Sequence, residues 1–379
     1  MTIVADNKIP FLQGALESHA DIRYLPAKEI THERVKDADA LIIRTRTVCN
    51  AELLEHTNVK FIATATIGYD HIDASYCREN NIRWVSAPGC NSSSVMQYVA
   101  SALLALAKEK SVDLSKRTLG IVGVGNVGKK VARLAELLGM DVLCNDPPRM
   151  RTESGLDFVS LDEILAECDI ITLHVPLTHQ GADTTYRLVN EDFFSQVKKG
   201  TILLNTSRGA VVDSSALKQA IKSGTVGATI LDVWEHEPEI DRELLQLVDI
   251  ATPHIAGYSA DGKANGTSVC VRAVSDFFNL EMPASWYPEI PQALQAMNIV
   301  IYGNGKSLQE ILYEACLRTY DIRFDDAKLR QSPETFEQQR SDYYVRREFP
   351  CYEIVLQHPE REAEFALRNL GFTLINTEQ

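Results

Sequence analysis

Three short segments carry side chains suited to acid–base and anion-binding chemistry. They are Asn205-Thr206-Ser207-Arg208-Gly209, Val233-Trp234-Glu235-His236-Glu237-Pro238 and Thr252-Pro253-His254-Ile255-Ala256-Gly257. Each follows or overlaps the end of an apolar run that reads as a strand: Thr201–Asn205, Ala228–Asp232 and Ile250-Ala251-Thr252. Side chains at the carboxyl ends of parallel strands gather over the ligand crevice, so Arg208, Glu237 and His254 are expected at one catalytic site. An arginine there can grip a carboxylate bidentately and polarise the neighbouring carbonyl. Oxidising an alcohol by hydride transfer requires a base for the hydroxyl proton, and histidine suits that near neutral pH. A neighbouring carboxylate favours the imidazolium and fixes the ring's tautomer. In isolation Arg208 reads as an ion-paired surface residue and His254 as a structural histidine; three consecutive strand ends argue against both. His236 competes for the role, but lies inside an acidic loop and is expected to be solvated. His174, at the end of strand Ile170–Val175, is expected to line a cofactor cleft.

The cofactor is suggested upstream. Gly123-x-Gly125-x-x-Gly128 follows the apolar run Thr118–Val122 and opens a helix over Val127–Leu138, with Asn126 and Val127 at its start. The first glycine permits the tight turn, the second admits a pyrophosphate close to the backbone, and the third lets helix and strand pack closely. Exposed N–H groups at the helix start bind the phosphates. Such a turn occurs in other α/β folds too; here strand, turn, helix, strand and acid come in order. The next strand, Asp141–Asn145, ends at Asp146, eighteen residues past Gly128. A carboxylate there accepts from a ribose diol and repels a 2′-phosphate, so NAD is expected over NADP.

The elements needed to position these groups are legible as rhythm. Ile3-Val4-Ala5, Ala40–Arg44 and Phe61–Ala65 read as strands separated by helical stretches such as Ala51–His56, a parallel α/β pattern. Ser92–Lys108 reads as one long helix, apolar at Val95, Val99, Ala102, Leu103 and Leu106, with Ser92, Ser93 or Ser94 able to cap it. Pro283, Pro288 and Pro291 mark a linker. Beyond it, helical runs at Ser307–Tyr320 and Pro359–Asn369 mix with strands at Asn298–Tyr302 and Tyr352–Leu356, read as a small α+β domain.

With 379 residues, two or three domains are expected. A formal net charge of −14 argues against nucleic acid and anionic membrane surfaces as partners. No apolar run is long enough to span a bilayer, and the N-terminus has no basic, apolar leader, so a cytoplasmic protein is expected. Eight scattered cysteines without a Cys-x-x-Cys pair read as reduced thiols, and no metal site is expected.

The glycine turn and the three strand-end segments resemble the D-isomer-specific 2-hydroxyacid dehydrogenase family. That resemblance implies two Rossmann-like domains with the active site between them. A closer similarity lies in Thr64-Ala65-Thr66-Ile67-Gly68-Tyr69-Asp70-His71-Ile72-Asp73, Ala87-Pro88-Gly89-Cys90-Asn91 and His254-Ile255-Ala256-Gly257-Tyr258-Ser259 followed by Gly262-Lys263. These segments, and the tail after residue 286, resemble the erythronate-4-phosphate dehydrogenase branch. The implied organisation is a substrate-binding, flavodoxin-like domain at 1–93 and 256–285, an NAD-binding domain at 94–255, and a C-terminal domain at 286–379 that joins a homodimer. The implied substrate is 4-phospho-D-erythronate, oxidised with NAD on the way to pyridoxal 5′-phosphate. Carried over, Arg208 holds the carboxylate, Glu237 pairs with His254, and His254 is the acid/base. Thr45, Thr66 and Tyr258 contact substrate. Asp146, Val175, Thr206, Ser207, Asp232 and Gly257 join the glycine turn around NAD.

Several positions depart from the family's usual residues: Thr45 replaces a serine, Val175 a threonine, Gln97 a glutamate and Ser207 a cysteine. None removes a catalytic group. Arg208 can serve only one of the substrate's two anionic ends. Arg44 and Arg46 are candidates for the phosphate, with Arg346 and Arg347 the alternative, though either pair also reads as solvated surface charge. The nearest rival substrate is 3-phosphoglycerate, and a rival of another class is an NAD-sensing scaffold built on the same fold.

Overall fold

The computed structural model describes residues 1–153, 157–293, 296–358 and 360–375. Contacts divide the chain into two compact units, Met1–Asn91 with Ser259–Gln292, and Ser92–Tyr258 with Ala293–Gln379.

The first unit holds a five-stranded parallel sheet in the order β2-β1-β3-β4-β5. The strands are β1 (Thr2–Asp6), β2 (Asp21–Leu25), β3 (Ala40–Ile43), β4 (Phe61–Thr64) and β5 (Arg83–Val85). β3 and β4 are buried at every position, which is why each reads as an unbroken apolar run. β2 and β5 were not legible. They are edge strands, half exposed, with Arg23 inside β2 and Arg83 opening the three-residue β5. The helix Ala260–Phe278 lies in this unit and returns Cys270, Val271 and Val274 to a core shared with Ile3, Ala5 and Phe61. The proline-marked stretch after Leu280 carries no helix or strand as far as Ala293.

The second unit holds a six-stranded parallel sheet in the order β11-β10-β9-β8-β6-β7. Its strands are β6 (Thr118–Val122), β7 (Asp141–Asn145), β8 (Ile170–Leu173), β9 (Thr201–Asn205), β10 (Val226–Leu231) and β11 (Ile250–Ala251). The chain reverses its winding between the neighbouring β6 and β8, the place where open α/β sheets bind ligands. The long helix runs Ser92–Lys110 and is buried nearly all round. Its polar residues Ser94, Gln97 and Ser101 all find partners on the backbone of unit-two segments. Ser94 donates to the Ala256 carbonyl, Gln97 to the Arg347 carbonyl and Ser101 to the Tyr320 carbonyl. A glutamate at 97 would set one acceptor against another, so the family departure there fits its surroundings. The three serines lie inside the helix rather than at its cap.

The tail folds on the same unit. Its strands β12 (Asn298–Tyr302), β13 (Glu353–Gln357) and β14 (Thr373–Leu374) form a parallel three-stranded sheet. The helix Leu308–Thr319 is capped by Ser307 in a reciprocal box with Glu310, and Arg361–Leu370 is the last helix; the expected start at Pro359 lies outside the described residues. Ile299, Ile301, Leu312 and Leu367 join Val99, Leu103 and Leu134 in one core. Among the described residues no helix is long and apolar enough to cross a membrane.

Candidate active site

At the end of β6 the glycines have separate, visible duties. A Cβ on Gly123, whose φ is +91°, would lie 2.7 Å from the His174 carbonyl oxygen and 2.9 Å from Val175 Cγ1. One on Gly128 would lie 2.1 Å from the Gly123 carbonyl oxygen. One on Gly125 would meet nothing within 4 Å. Gly123 and Gly128 thus serve packing, and Gly125 keeps open the space above the turn. The helix Asn126–Leu137 starts there with no side-chain cap, so its first N–H groups are left for an anion. Asp146 Oδ2 accepts from Val124 N at 2.9 Å, which fixes the acid beside the turn. Arg149 is held by Glu153, its Nε 2.7 Å from Oε1, so the nearby cation is already neutralised and offers little to a 2′-phosphate. These residues fit the adenosine and pyrophosphate of NAD.

His174 follows β8. Its Nε2 is 3.0 Å from Thr172 Oγ1 and its Nδ1 3.2 Å from Thr206 Oγ1. Burial pulls its pKa down to about 3, so the ring is neutral and bridges the ends of β8 and β9. The turn after β9 is built by Asn205, whose Oδ1 accepts from Ser207 N and Oγ while its Nδ2 donates to the Arg208 carbonyl. Gly209 sits where a Cβ would lie 1.9 Å from the Trp234 carbonyl oxygen, so this turn and the one after β10 are in direct contact.

The His254–Glu237 pair follows β10 and β11. His254 Nδ1 lies 2.7 Å from Glu237 Oε2, and Glu237 Oε1 accepts from Trp234 N at 2.9 Å. Burial works to raise the Glu237 pKa. The hydrogen bond and charge of His254, the Trp234 amide and the Arg340 cation outweigh it and hold the carboxyl below its usual value. An ionised carboxylate only accepts, so a proton sits on Nδ1 in either charge state of the ring, and in the neutral ring Nε2 is the nitrogen left with a lone pair. His254 sits at φ +57°, an uncommon conformation for a non-glycine residue, with its N–H donated to the Asp232 carbonyl at 2.7 Å. The buried Asp232 carboxylate holds the next two residues: Oδ1 accepts from Ile255 N at 2.7 Å and Oδ2 from Ala256 N at 2.9 Å. Burial pushes the Asp232 pKa up, opposed by His254 and by these hydrogen bonds.

Arg208, Glu237 and His254 therefore lie on one unit, after three adjacent strands. Tyr258 is half-buried on the same unit, with the Arg340 guanidinium 5.6 Å from its ring centroid. Arg340, from the short helix Phe336–Ser341, went unnoticed in the sequence, where nothing separates it from a surface arginine. His236 is exposed, as expected. Arg44, Thr45, Arg46 and Thr66 lie on the other unit. Arg44 follows β3 and reaches the wholly buried Asp6 at the end of β1, Nε to Oδ2 at 3.2 Å. β1 and β3 flank the winding reversal of that sheet. Thr45 and Arg46 are exposed, and the Thr66 hydroxyl donates to the Gly68 carbonyl at 3.0 Å. Arg346 is completely buried, which removes it as a surface ligand for phosphate.

Residues 96–256 match the family model of the D-isomer specific 2-hydroxyacid dehydrogenase NAD binding domain, and 294–371 match a domain of unknown function. An erythronate-4-phosphate dehydrogenase of Bacteroides fragilis is 50% identical over 94% of this chain and 99% of its own length. That of Porphyromonas gingivalis is 43% identical over 94% of this chain and 95% of its own. Among solved structures, the Aquifex aeolicus D-lactate dehydrogenase with NAD and lactic acid superposes with a TM-score of 0.61 at 29% identity, covering 74% of this chain and 96% of that one. The strand-end chemistry and these likenesses agree: the chain belongs to the erythronate-4-phosphate dehydrogenases, within the D-isomer specific 2-hydroxyacid dehydrogenase family.

Proposed function

We propose that this chain oxidises 4-phospho-D-erythronate to 3-hydroxy-2-oxo-4-phosphooxybutanoate with NAD, a step toward pyridoxal 5′-phosphate. The observation that carries the reading is the His254–Glu237 pair at 2.7 Å, on the unit that also holds Arg208 and the glycine turn. Bound NAD supplies the acceptor for the hydrogen and electron pair leaving C2. Arg208 holds the substrate carboxylate and polarises the adjoining carbon–oxygen bond. His254 Nε2 takes the C2 hydroxyl proton as the carbonyl forms, and Glu237 steadies the imidazolium. Thr45, Thr66 and Tyr258 contact the substrate, and Arg44 and Arg46 receive its phosphate. Asp146 takes the ribose diol, while Asn126, Val127, Val175, Thr206, Ser207, Asp232 and Gly257 line the remainder of the cofactor.

The reading extends to assembly and place. Two copies associate through the C-terminal segment, supported by the outward Val300 and Tyr302 on the edge strand β12 and by the exposed Phe324. The enzyme works in the cytoplasm, in keeping with eight scattered cysteines that form no Cys-x-x-Cys pair.

The test is NADH formation from 4-phospho-D-erythronate beside 3-phosphoglycerate. A preference for 3-phosphoglycerate overturns the substrate. His254→Ala should lower kcat by about 10²–10⁴-fold, the usual worth of a general base, with NADH binding nearly unchanged. Loss of NADH binding would mean that His254 has another role. An unchanged KM in the Arg44→Ala, Arg46→Ala double variant would remove those residues from the phosphate site.

A further inference from the structure

The Arg346 side chain is fully buried, although no carboxylate among its described contacts meets it directly. Its Nη2 donates to the Ala256 carbonyl at 2.6 Å, to the Ile255 carbonyl at 3.2 Å and to Ser94 Oγ. Ser94 Oγ itself donates to the Ala256 carbonyl at 2.8 Å. The guanidinium carbon lies over the Tyr320 ring, 4.3 Å from its centroid, and over the Tyr343 ring, 5.7 Å from its centroid. Nε and Nη1 find no hydrogen-bond partner among the described residues. Asp325 lies one step away, bound through the hydroxyls of those same two tyrosines at 2.9 and 2.7 Å.

Burying a guanidinium on these terms is a poor way to gain stability. Apolar side chains of similar volume often serve a core as well or better. What Arg346 supplies is aim. Its donors meet the two carbonyls that directly follow His254, while the Asp232 carboxylate takes the two N–H groups of the same residues. The Ile255-Ala256 backbone is thus held from both sides by opposite charges, and His254, in its uncommon backbone conformation, is the next residue along the chain.

We propose that Arg346 is a positioning residue for the oxidation: from the C-terminal segment it fixes the backbone of Ile255 and Ala256, and through them the reach of His254. The proposal rests on the function given above. Wild-type turnover of 4-phospho-D-erythronate tests that function, and the variants that follow test the clamp.

Arg346→Met and Arg346→Lys are compared with wild type for thermal melting, NADH binding, KM and kcat. Misplacing a catalytic group by about 1 Å costs about 10²-fold in rate, so Arg346→Met should lose about that in kcat while it still melts cooperatively above the assay temperature and keeps the wild-type KM. Arg346→Lys keeps the charge and one directed donor, and should recover part of the loss. A folded Arg346→Met enzyme with wild-type kcat overturns the proposal, and so does a loss carried by KM alone. Should neither variant fold, Ser94→Ala decides. It removes the hydroxyl shared by Arg346 and Ala256 from a helix that tolerates alanine, and should lower kcat about two- to tenfold, the worth of one hydrogen bond. A wild-type kcat in Ser94→Ala then overturns the clamp.

Discussion

Glu237 uses one oxygen to hold its own loop, through Trp234 N, and the other to hold the proposed base, through His254 Nδ1. Replacing it with glutamine keeps the size and removes the charge. The amide can then present a donor to a donor, so Glu237→Gln should lower kcat by about 10²–10⁴-fold, measured as NADH formation at saturating substrate. The pH behaviour follows from the lowered Glu237 pKa. The carboxylate stays ionised above that depressed value, so its contribution persists through the ordinary glutamate range and is lost only as pH falls below it. Arg340 is one of the cations that hold the value down. Arg340→Gln should therefore move the acid limb of the kcat profile upward, and an unmoved limb would separate Arg340 from the pair. His174 gives a second sign. Its folded pKa of about 3 lies below the ordinary imidazole value of about 6.5. Between the two, the unfolded chain takes up a proton that the folded one refuses, so stability should fall with pH across that window. Urea unfolding of wild type and His174→Gln at neutral and mildly acidic pH measures it; the variant should lose that slope.

The glycine turn offers the sharpest contrast among the elements. Gly128→Ala puts a methyl 2.1 Å from the Gly123 carbonyl oxygen and must shift backbone. Overpacking of this kind costs about 1–3 kcal/mol, so its melting temperature should drop. Gly125→Ala meets nothing in the protein. It should melt like wild type and yet bind NADH more weakly, because the added methyl occupies space meant for the pyrophosphate. Equal NADH binding in Gly125→Ala would show that the phosphates pass elsewhere. The same elements show what was legible in the sequence. β3, β4 and β8 are buried on both faces and announce themselves as apolar runs, and the residues at the ends of β8, β9, β10 and β11 could be named from those runs. β2 and β5 could not, because an edge strand carries charge on its open side. Asp6, Arg340 and Arg346 were missed in their structural roles for a different reason. Each acts through a partner distant in sequence, and an arginine's burial leaves no trace in local pattern. Only the fold shows that Arg346 stands behind His254 rather than at the surface.

At the scale of the molecule, the tail and the dinucleotide-binding sheet share one core. Leu312 is fully buried where Leu103 and Leu134 join the tail strands. Leu312→Ala should cost about 2–5 kcal/mol, and the loss should appear in the same transition that bound NADH protects. Two separate transitions, with only the NADH-independent one shifted, would mean that the tail melts alone.

The path of the chain through its two units has a consequence for synthesis on the ribosome. The first 91 residues emerge early and cover one face of their sheet themselves, but the other face waits for the helix Ala260–Phe278 to bring Cys270, Val271 and Val274 against Ile3, Ala5 and Phe61, with Phe277 stacked on Phe61 at 4.7 Å. At translation rates of about 5–20 residues per second, that wait lasts on the order of ten to forty seconds. Meanwhile all six strands of the second sheet have already left the tunnel. The segment made first is thus completed after the strands made later. A ribosome-stalling series should show protease resistance appearing in β1–β5 only once residue 278 is clear of the exit.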